Sequence, residues 1–178
     1  MRNLILIILI ITNTIFIKAQ DIYKTSNGFV RFKSIAPKEN IEAGNFLVTA
    51  SLNIESKEIK VELPITGFAF QKPLMKIHFN EKYLESHIFP KATFTGRIGN
   101  LNFSEGVVLT RITGTINIHG VKKQISENVS LKKQKNTIIG KCIIKIRPED
   151  FEIKIPKKLR KKIAEDLDIE IELTLKEE

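Results

Sequence analysis

The stretch Leu167-Asp168-Ile169-Glu170-Ile171-Glu172-Leu173-Thr174-Leu175 decides the fold. Apolar and polar side chains alternate along it without a break. Successive residues of a β-strand point to opposite faces, so this order makes one apolar face and one acidic, polar face. Wound as a helix, the same residues would scatter their apolar groups around the axis. The segment reads as a strand with one side on a core and the other in water.

The same period recurs upstream. Phe46, Val48, Ala50, Leu52 and Ile54 alternate with Leu47, Thr49, Ser51 and Asn53. Ile59, Val61 and Leu63 flank Lys60 and Glu62, while Ala92, Phe94, Gly96 and Ile98 flank Thr93, Thr95 and Arg97. Ile112, Gly114, Ile116 and Ile118 alternate with Thr113, Thr115, Asn117 and His119. Turn-forming clusters such as Glu55-Ser56-Lys57, Gly99-Asn100 and Gln134-Lys135-Asn136 separate the runs. The pattern predicts eight or nine strands, over 28–34, 45–54, 57–68, 92–98, 101–111, 112–119, 125–133, 136–147 and 167–176. Each has one apolar face, so all need a shared interior. The expected fold is all-β: a single antiparallel eight-stranded barrel with short helical segments. Closure also removes the exposed edges that would pair with other chains.

The N-terminus has a different character. Arg2 is followed by an apolar run from Leu4 to Ile11, which Thr12-Asn13-Thr14 interrupts. A membrane-spanning helix needs about 20 apolar residues, and this run is shorter and broken. It reads as a signal peptide over 1–19, cut after Ala19, with one domain over 20–178. An uncleaved anchor is the alternative. The formal charge of +9 includes Arg2 and Lys18, so the remainder carries +7. Export argues against nucleic acid as the partner of this basic chain. An anionic membrane surface, an acidic partner or a merely solvated surface stay open. Cys142 is the single cysteine, so no internal disulfide forms. Among Ile138, Gly140, Ile144 and Ile146 it reads as a small buried apolar residue.

Two segments depart from the strand pattern. Over 71–88, Leu74 falls four residues before His78 and Met75 four before Phe79, a spacing that suits short helical turns. Over 156–166, Pro156 suits a first helical position, and Leu159 with Ile163 makes a narrow apolar stripe. Lys157, Lys158, Arg160, Lys161 and Lys162 make the rest of that segment basic. Such a helix is expected to meet anionic headgroups, or to be a solvated surface helix.

Catalytic and metal signatures are missing from the sequence. His78, His87 and His119 form no i, i+4 pair and have no cysteine cluster beside them, so neither a metal nor a cofactor is expected. His78 and Glu81 are close enough in sequence to meet, as an acid–base pair or simply as neighbours at a barrel mouth. An eight-stranded barrel is either filled by side chains or holds one small ligand. Gly96 and Gly114 on apolar faces would leave volume inside. Phe70, Leu74, Met75, Phe79, Tyr83 and Phe94 are the candidates to line one end, with Ile116 on the wall. A filled core built from the same residues is the alternative.

The stretch His78-Phe79-Asn80-Glu81-Lys82-Tyr83-Leu84-Glu85-Ser86, followed by Phe89-Pro90-Lys91-Ala92-Thr93-Phe94, resembles the YceI-like family. So do Gly114-Thr115-Ile116-Asn117-Ile118-His119-Gly120-Val121-Lys122-Lys123 and Asp150-Phe151-Glu152-Ile153. The pieces fall in the family's order and spacing, across roughly residues 23–175. The resemblance implies an extended lipocalin-like antiparallel barrel with a helical segment near its mouth. It implies export to the periplasm or beyond, and a binding protein rather than an enzyme. The implied ligand is hydrophobic, an isoprenoid lipid or an isoprenoid quinone held inside the barrel. Phe79, Asn80 and Tyr83 match the family's F-N-x-x-Y segment. Phe89 stands where the Y-P-x-x-x-F pattern has tyrosine, ahead of Pro90 and Phe94. Gln71-Lys72-Pro73-Leu74-Met75 lacks the Arg-Asp pair that many members carry. The polar end of the ligand is then held differently, or the ligand differs. His119 matches the family's H-G turn and reads as structural. Two rivals remain: a filled barrel whose basic face binds an acidic partner, and a small lipid-acting enzyme using His78 with Glu81 or Glu85.

Overall fold

The computed structural model describes residues 21–103 and 106–178; the expected signal peptide, 1–19, lies outside the described residues. Alternation becomes strand throughout. The strands are β1 (Ile22–Ile35), β2 (Asn40–Asn53), β3 (Glu58–Pro64), β4 (Ala69–Phe70), β5 (Lys91–Ile98), β6 (Val107–Ile118), β7 (Val121–Gln134), β8 (Thr137–Ile146) and β9 (Leu167–Glu177). Eight long strands run in the order β1-β9-β8-β7-β6-β5-β3-β2, and β2 pairs back onto β1 to close an antiparallel lipocalin-like barrel. The two-residue β4 only adds Ala69 and Phe70 to the Ala43–Gly44 end of β2.

The registers set two unlike ends. At one, Ile35 pairs with Asn40, Pro64 with Lys91, Ile118 with Val121 and Ile146 with Leu167. The long links 65–90 and 147–166 therefore leave and return at this end, which forms the mouth. At the far end Tyr23, Leu52, Ile138 and Leu175, none more than 1% exposed, pack the interior shut. The β9 pattern that opened the sequence reading holds: Leu173 and Leu175 are buried, and Ile169 and Ile171 pack against the core.

Four expectations change in detail. The stretches 101–111 and 112–119 are not two strands, because Val108, Thr110 and Ile112 continue one inward phase through β6. The alternation of 45–54 breaks at Phe46. Val30 pairs with Asn45 but Gly28 with Val48, so one extra residue bulges out of β2. Phe46 and Leu47 become exposed, Phe46 packs on Phe29 outside the barrel at 4.5 Å, and Asn45 turns inward. There its amide donates to the Pro64 carbonyl at 2.7 Å and accepts from the Leu47 N–H at 2.8 Å. The expected strand 57–68 stops at Pro64 and becomes a 3-10 turn, Ile65–Gly67. The basic segment 156–166 is not an α-helix but a single 3-10 turn, Lys157–Leu159, followed by irregular turns. Its backbone groups are taken by the β1–β2 hairpin instead: the Lys38 N–H donates to the Lys161 carbonyl at 2.9 Å, and the Ala164 N–H to Ser34 Oγ at 2.8 Å.

The helical reading of 71–88 holds. Helix α1 (Pro73–His78) begins on proline and runs into a π turn, Phe79–Tyr83. No helix among the described residues is long and apolar enough to cross a membrane.

Candidate functional site

The mouth half of the barrel is hollow. A cavity of about 560 Å³ runs in from the mouth, within the usual size of small-molecule sites. Its floor is Ile98, Val129, Leu131, Leu173 and Leu175. Its walls are the inward residues of the strands, among them Val61, Phe94, Ile116, Ile144 and Ile169.

One side of the mouth is α1 with its π turn. The Phe79 ring anchors this segment: it stacks on Phe32 at 5.5 Å and meets Phe68 at 5.3 Å and Phe70 at 5.0 Å. With Phe79 fixed, Leu74, Met75, His78 and Tyr83 reach the cavity. Burial pushes the Tyr83 phenol above its ordinary pKa. The opposite side is the irregular basic segment, from which Leu159, Lys162 and Ile163 reach the cavity. The β1–β2 hairpin joins the two sides, since Lys72 of the helical side pairs with Glu39 at 2.8 Å. That ammonium holds the Glu39 carboxyl below the usual carboxylate range.

Of the residues singled out in the sequence, Phe70, Leu74, Met75, Phe79, Tyr83, Phe94 and Ile116 all border this one cavity. Gly96 does not. It pairs with Gly114 across β5 and β6, and a Cβ on either would lie within 3 Å of the Phe94 ring tip. The two glycines therefore seat the Phe94 ring instead of leaving a void. Sequence reasoning missed Phe32, Phe68 and Glu127. All three line the cavity. Phe32 is in phase with Val30 on β1 and Glu127 with Ile125 and Val129 on β7, so their alternation was a signal, whereas Phe68 follows the 3-10 turn and has no strand phase.

The histidines separate into two roles. His78 lines the mouth, and no hydrogen bond joins it to Glu81 among the described residues. Glu85, the other proposed partner, is taken by His119: Nε2 lies 2.9 Å from Glu85 Oε2, and Nδ1 lies 3.1 Å from the Phe151 carbonyl. The Phe89 ring packs on His119 at 4.4 Å and closes over Gly120. This cluster ties the β6–β7 turn, whose residues have φ of 52° and 79°, to the two long mouth links. It explains why phenylalanine serves at position 89: the ring packs there and a hydroxyl is not needed for that contact. No group of three or more His, Cys, Asp or Glu side chains among the described residues could hold a metal ion.

Cys142 faces inward beside the cavity and donates its S–H to the Asn128 carbonyl at 3.3 Å. Burial, with a smaller contribution from Glu127, pushes its thiol up to about 11. A thiol so shifted is a poor nucleophile near neutral pH.

Solved structures share this architecture. A polyisoprenoid binding domain from Saccharophagus degradans superposes with a TM-score of 0.76 at 12% identity, covering 89% of this chain and 99% of that one. BcnA of Burkholderia cenocepacia follows with 0.71 at 14% identity, covering 83% and 95%. A YCEI protein of Campylobacter jejuni gives 0.55 at 21% identity, covering 68% and 72%. At these identities the likeness is one of fold. No match is found among curated protein sequences. The family model for the YceI-like domain matches residues 23–175, nearly the whole described barrel, and the chain belongs to that family.

Proposed function

We propose that the protein is an exported, non-enzymatic binding protein that sequesters or carries one hydrophobic molecule, an isoprenoid lipid or isoprenoid quinone, in the mouth half of its barrel. The observation that carries this reading is the hollow itself: eight strands close around apolar side chains, yet only the far half is packed. Such a cavity takes an apolar chain out of water, at roughly 25 cal/mol for each Å² buried, before the costs of ordering and desolvation. The polyisoprenoid-binding description of the Saccharophagus domain agrees with an isoprenoid tail as the occupant.

A second observation favours loading at an anionic membrane. Leu74, Ile77, Ile88 and Ile35 are exposed around the mouth, where Lys157, Lys158, Lys161 and Lys162 also lie. Apolar groups ringed by lysine suit shallow contact with anionic headgroups. The filled-barrel interaction protein has less support, because its premise is a packed interior.

The test is uptake of geranylgeraniol, followed by native mass spectrometry. Wild type is expected to take up one molecule, and Met75→Asp and Phe94→Asp to lose at least about tenfold in affinity, as expected for a charge facing an apolar tail. Thermal melts of both variants confirm folding. Failure of the folded wild type to bind overturns the carrier reading. Unchanged binding by both variants overturns the assignment of these two residues.

A further inference from the structure

Glu127 is out of keeping with the wall that holds it. It lies on β7 between Ile125 and Val129 and opposite Ile112 of β6, and all four line the cavity. Two carboxylates border the cavity among the described residues. Glu39, at the rim, is paired with Lys72. Glu127 lies deeper, and no hydrogen bond or ion pair engages it among the described residues. A carboxylate facing apolar side chains without a partner is costly to bury.

The sheet explains how the fold tolerates it. β6 and β7 pair along their length, from Ile118–Val121 to Val107–Lys132. β7 and β8 pair only between Ser130–Gln134 and Thr137–Lys141, although β8 continues to Ile146 against β9. Beside Glu127 the wall is therefore split. The Cys142 thiol, bonded to the Asn128 carbonyl, bridges the point where the ladder ends. Val129, Lys141, Cys142 and Ile171 border both the cavity and a groove on the outer surface, so inside and outside meet there. Water entering through this split can solvate the carboxylate.

A ligand that fills the cavity displaces that water, and the carboxylate then needs a donor. We propose that Glu127 receives the polar end of the ligand, and that this end donates a hydrogen bond: a hydroxyl, an amide N–H or an ammonium. A phosphate or carboxylate head would be repelled at this point, and an oxidised quinone ring offers only acceptors. The tail then runs from the split towards the mouth, along the apolar walls. This assignment rests on the reading of the cavity as the ligand site, and it narrows that ligand to a donor-headed isoprenoid.

The experiment uses three probes with one tail: geranylgeraniol, its methyl ether and its monophosphate. Each is titrated into wild type, Glu127→Gln and Glu127→Leu. Wild type is expected to bind the alcohol at least about tenfold tighter than the ether, as for a hydrogen bond to a charged group, and the phosphate weakest. Glu127→Leu is expected to keep tail affinity and lose the preference, with Glu127→Gln between. Equal affinity for alcohol and ether in wild type, or a preference that survives Glu127→Leu, overturns the headgroup assignment and leaves the carrier reading standing. Failure of wild type to bind any of the three overturns both. Should Glu127→Leu not fold, Glu127→Gln carries the comparison, and a full wild-type preference retained there overturns the assignment.

Discussion

Single residues in this barrel are read correctly only when their neighbours are known. Cys142 is inward by its phase in β8, and that much is legible from Ile138, Gly140, Ile144 and Ile146. Its bond to Asn128 is not, because it depends on where the β7–β8 ladder stops. Glu127 shares the phase of Ile125 and Val129, but an acid between Ser126 and Asn128 looks like surface until the register with Ile112 places it on the cavity wall. Gly96 misleads in the opposite way, since the volume it frees is taken by Phe94 two residues earlier on the same strand. Cys142 supplies a direct test. Its pKa rises from 9.0 to about 11 on burial. Because the folded value lies above the unfolded one, its contribution to stability is complete below pH 9.0 and is lost as pH rises through about 11. At pH 8 the thiolate is depleted about a hundredfold, so iodoacetamide should label the folded protein far more slowly than the urea-unfolded chain. Equal labelling rates in the two states would contradict the burial of this thiol.

At the scale of elements, regular alternation was legible and irregular backbone was not. β9 and β3 follow their sequence pattern, whereas β2 bulges at Phe46 and the basic segment fails to become a helix. A period-two pattern carries no sign of a bulge, which changes one residue and then resumes. The segment 156–166 has helical spacing, but its backbone bonds to Lys38 and Ser34 outcompete a helix of about three turns. Its placement at the mouth still gathers its charges at one end of the barrel. Arg160 is tied to Glu149 and Glu165, and among the described residues Lys157, Lys158, Lys161 and Lys162 are the cations of that segment without such pairs. Each lysine near an anionic surface contributes about 1 kcal/mol. Replacing all four by glutamine should therefore weaken binding to phosphatidylglycerol vesicles by on the order of a hundredfold, allowing for incomplete contact. Arg160→Gln alone should change it little. Vesicle cosedimentation at low salt checks this, and equal binding by wild type and the four-lysine variant would remove the membrane surface from the account.

At the scale of the whole molecule, closure turns a set of half-apolar strands into a container. Nothing in the alternation of β9 says whether the enclosed space is full. The answer comes from the two ends: Tyr23, Leu52, Ile138 and Leu175 fill the far end, against which Leu101 and Phe103 also pack, while the long links 65–90 and 147–166 leave and return at the mouth. Phe79 and its partners Phe32, Phe68 and Phe70 keep the helical link to one side of the opening and do not let it plug the barrel. The fold class was therefore legible in the sequence, and the hollow was not, because hollowness is a property of the sum of packed volumes. The measurement that tests the central claim most directly is mass spectrometry of an organic extract from the protein purified from its native host. The account predicts one equivalent of an isoprenoid lipid per chain. A clean extract, from protein that also takes up no isoprenoid when it is added, would contradict it.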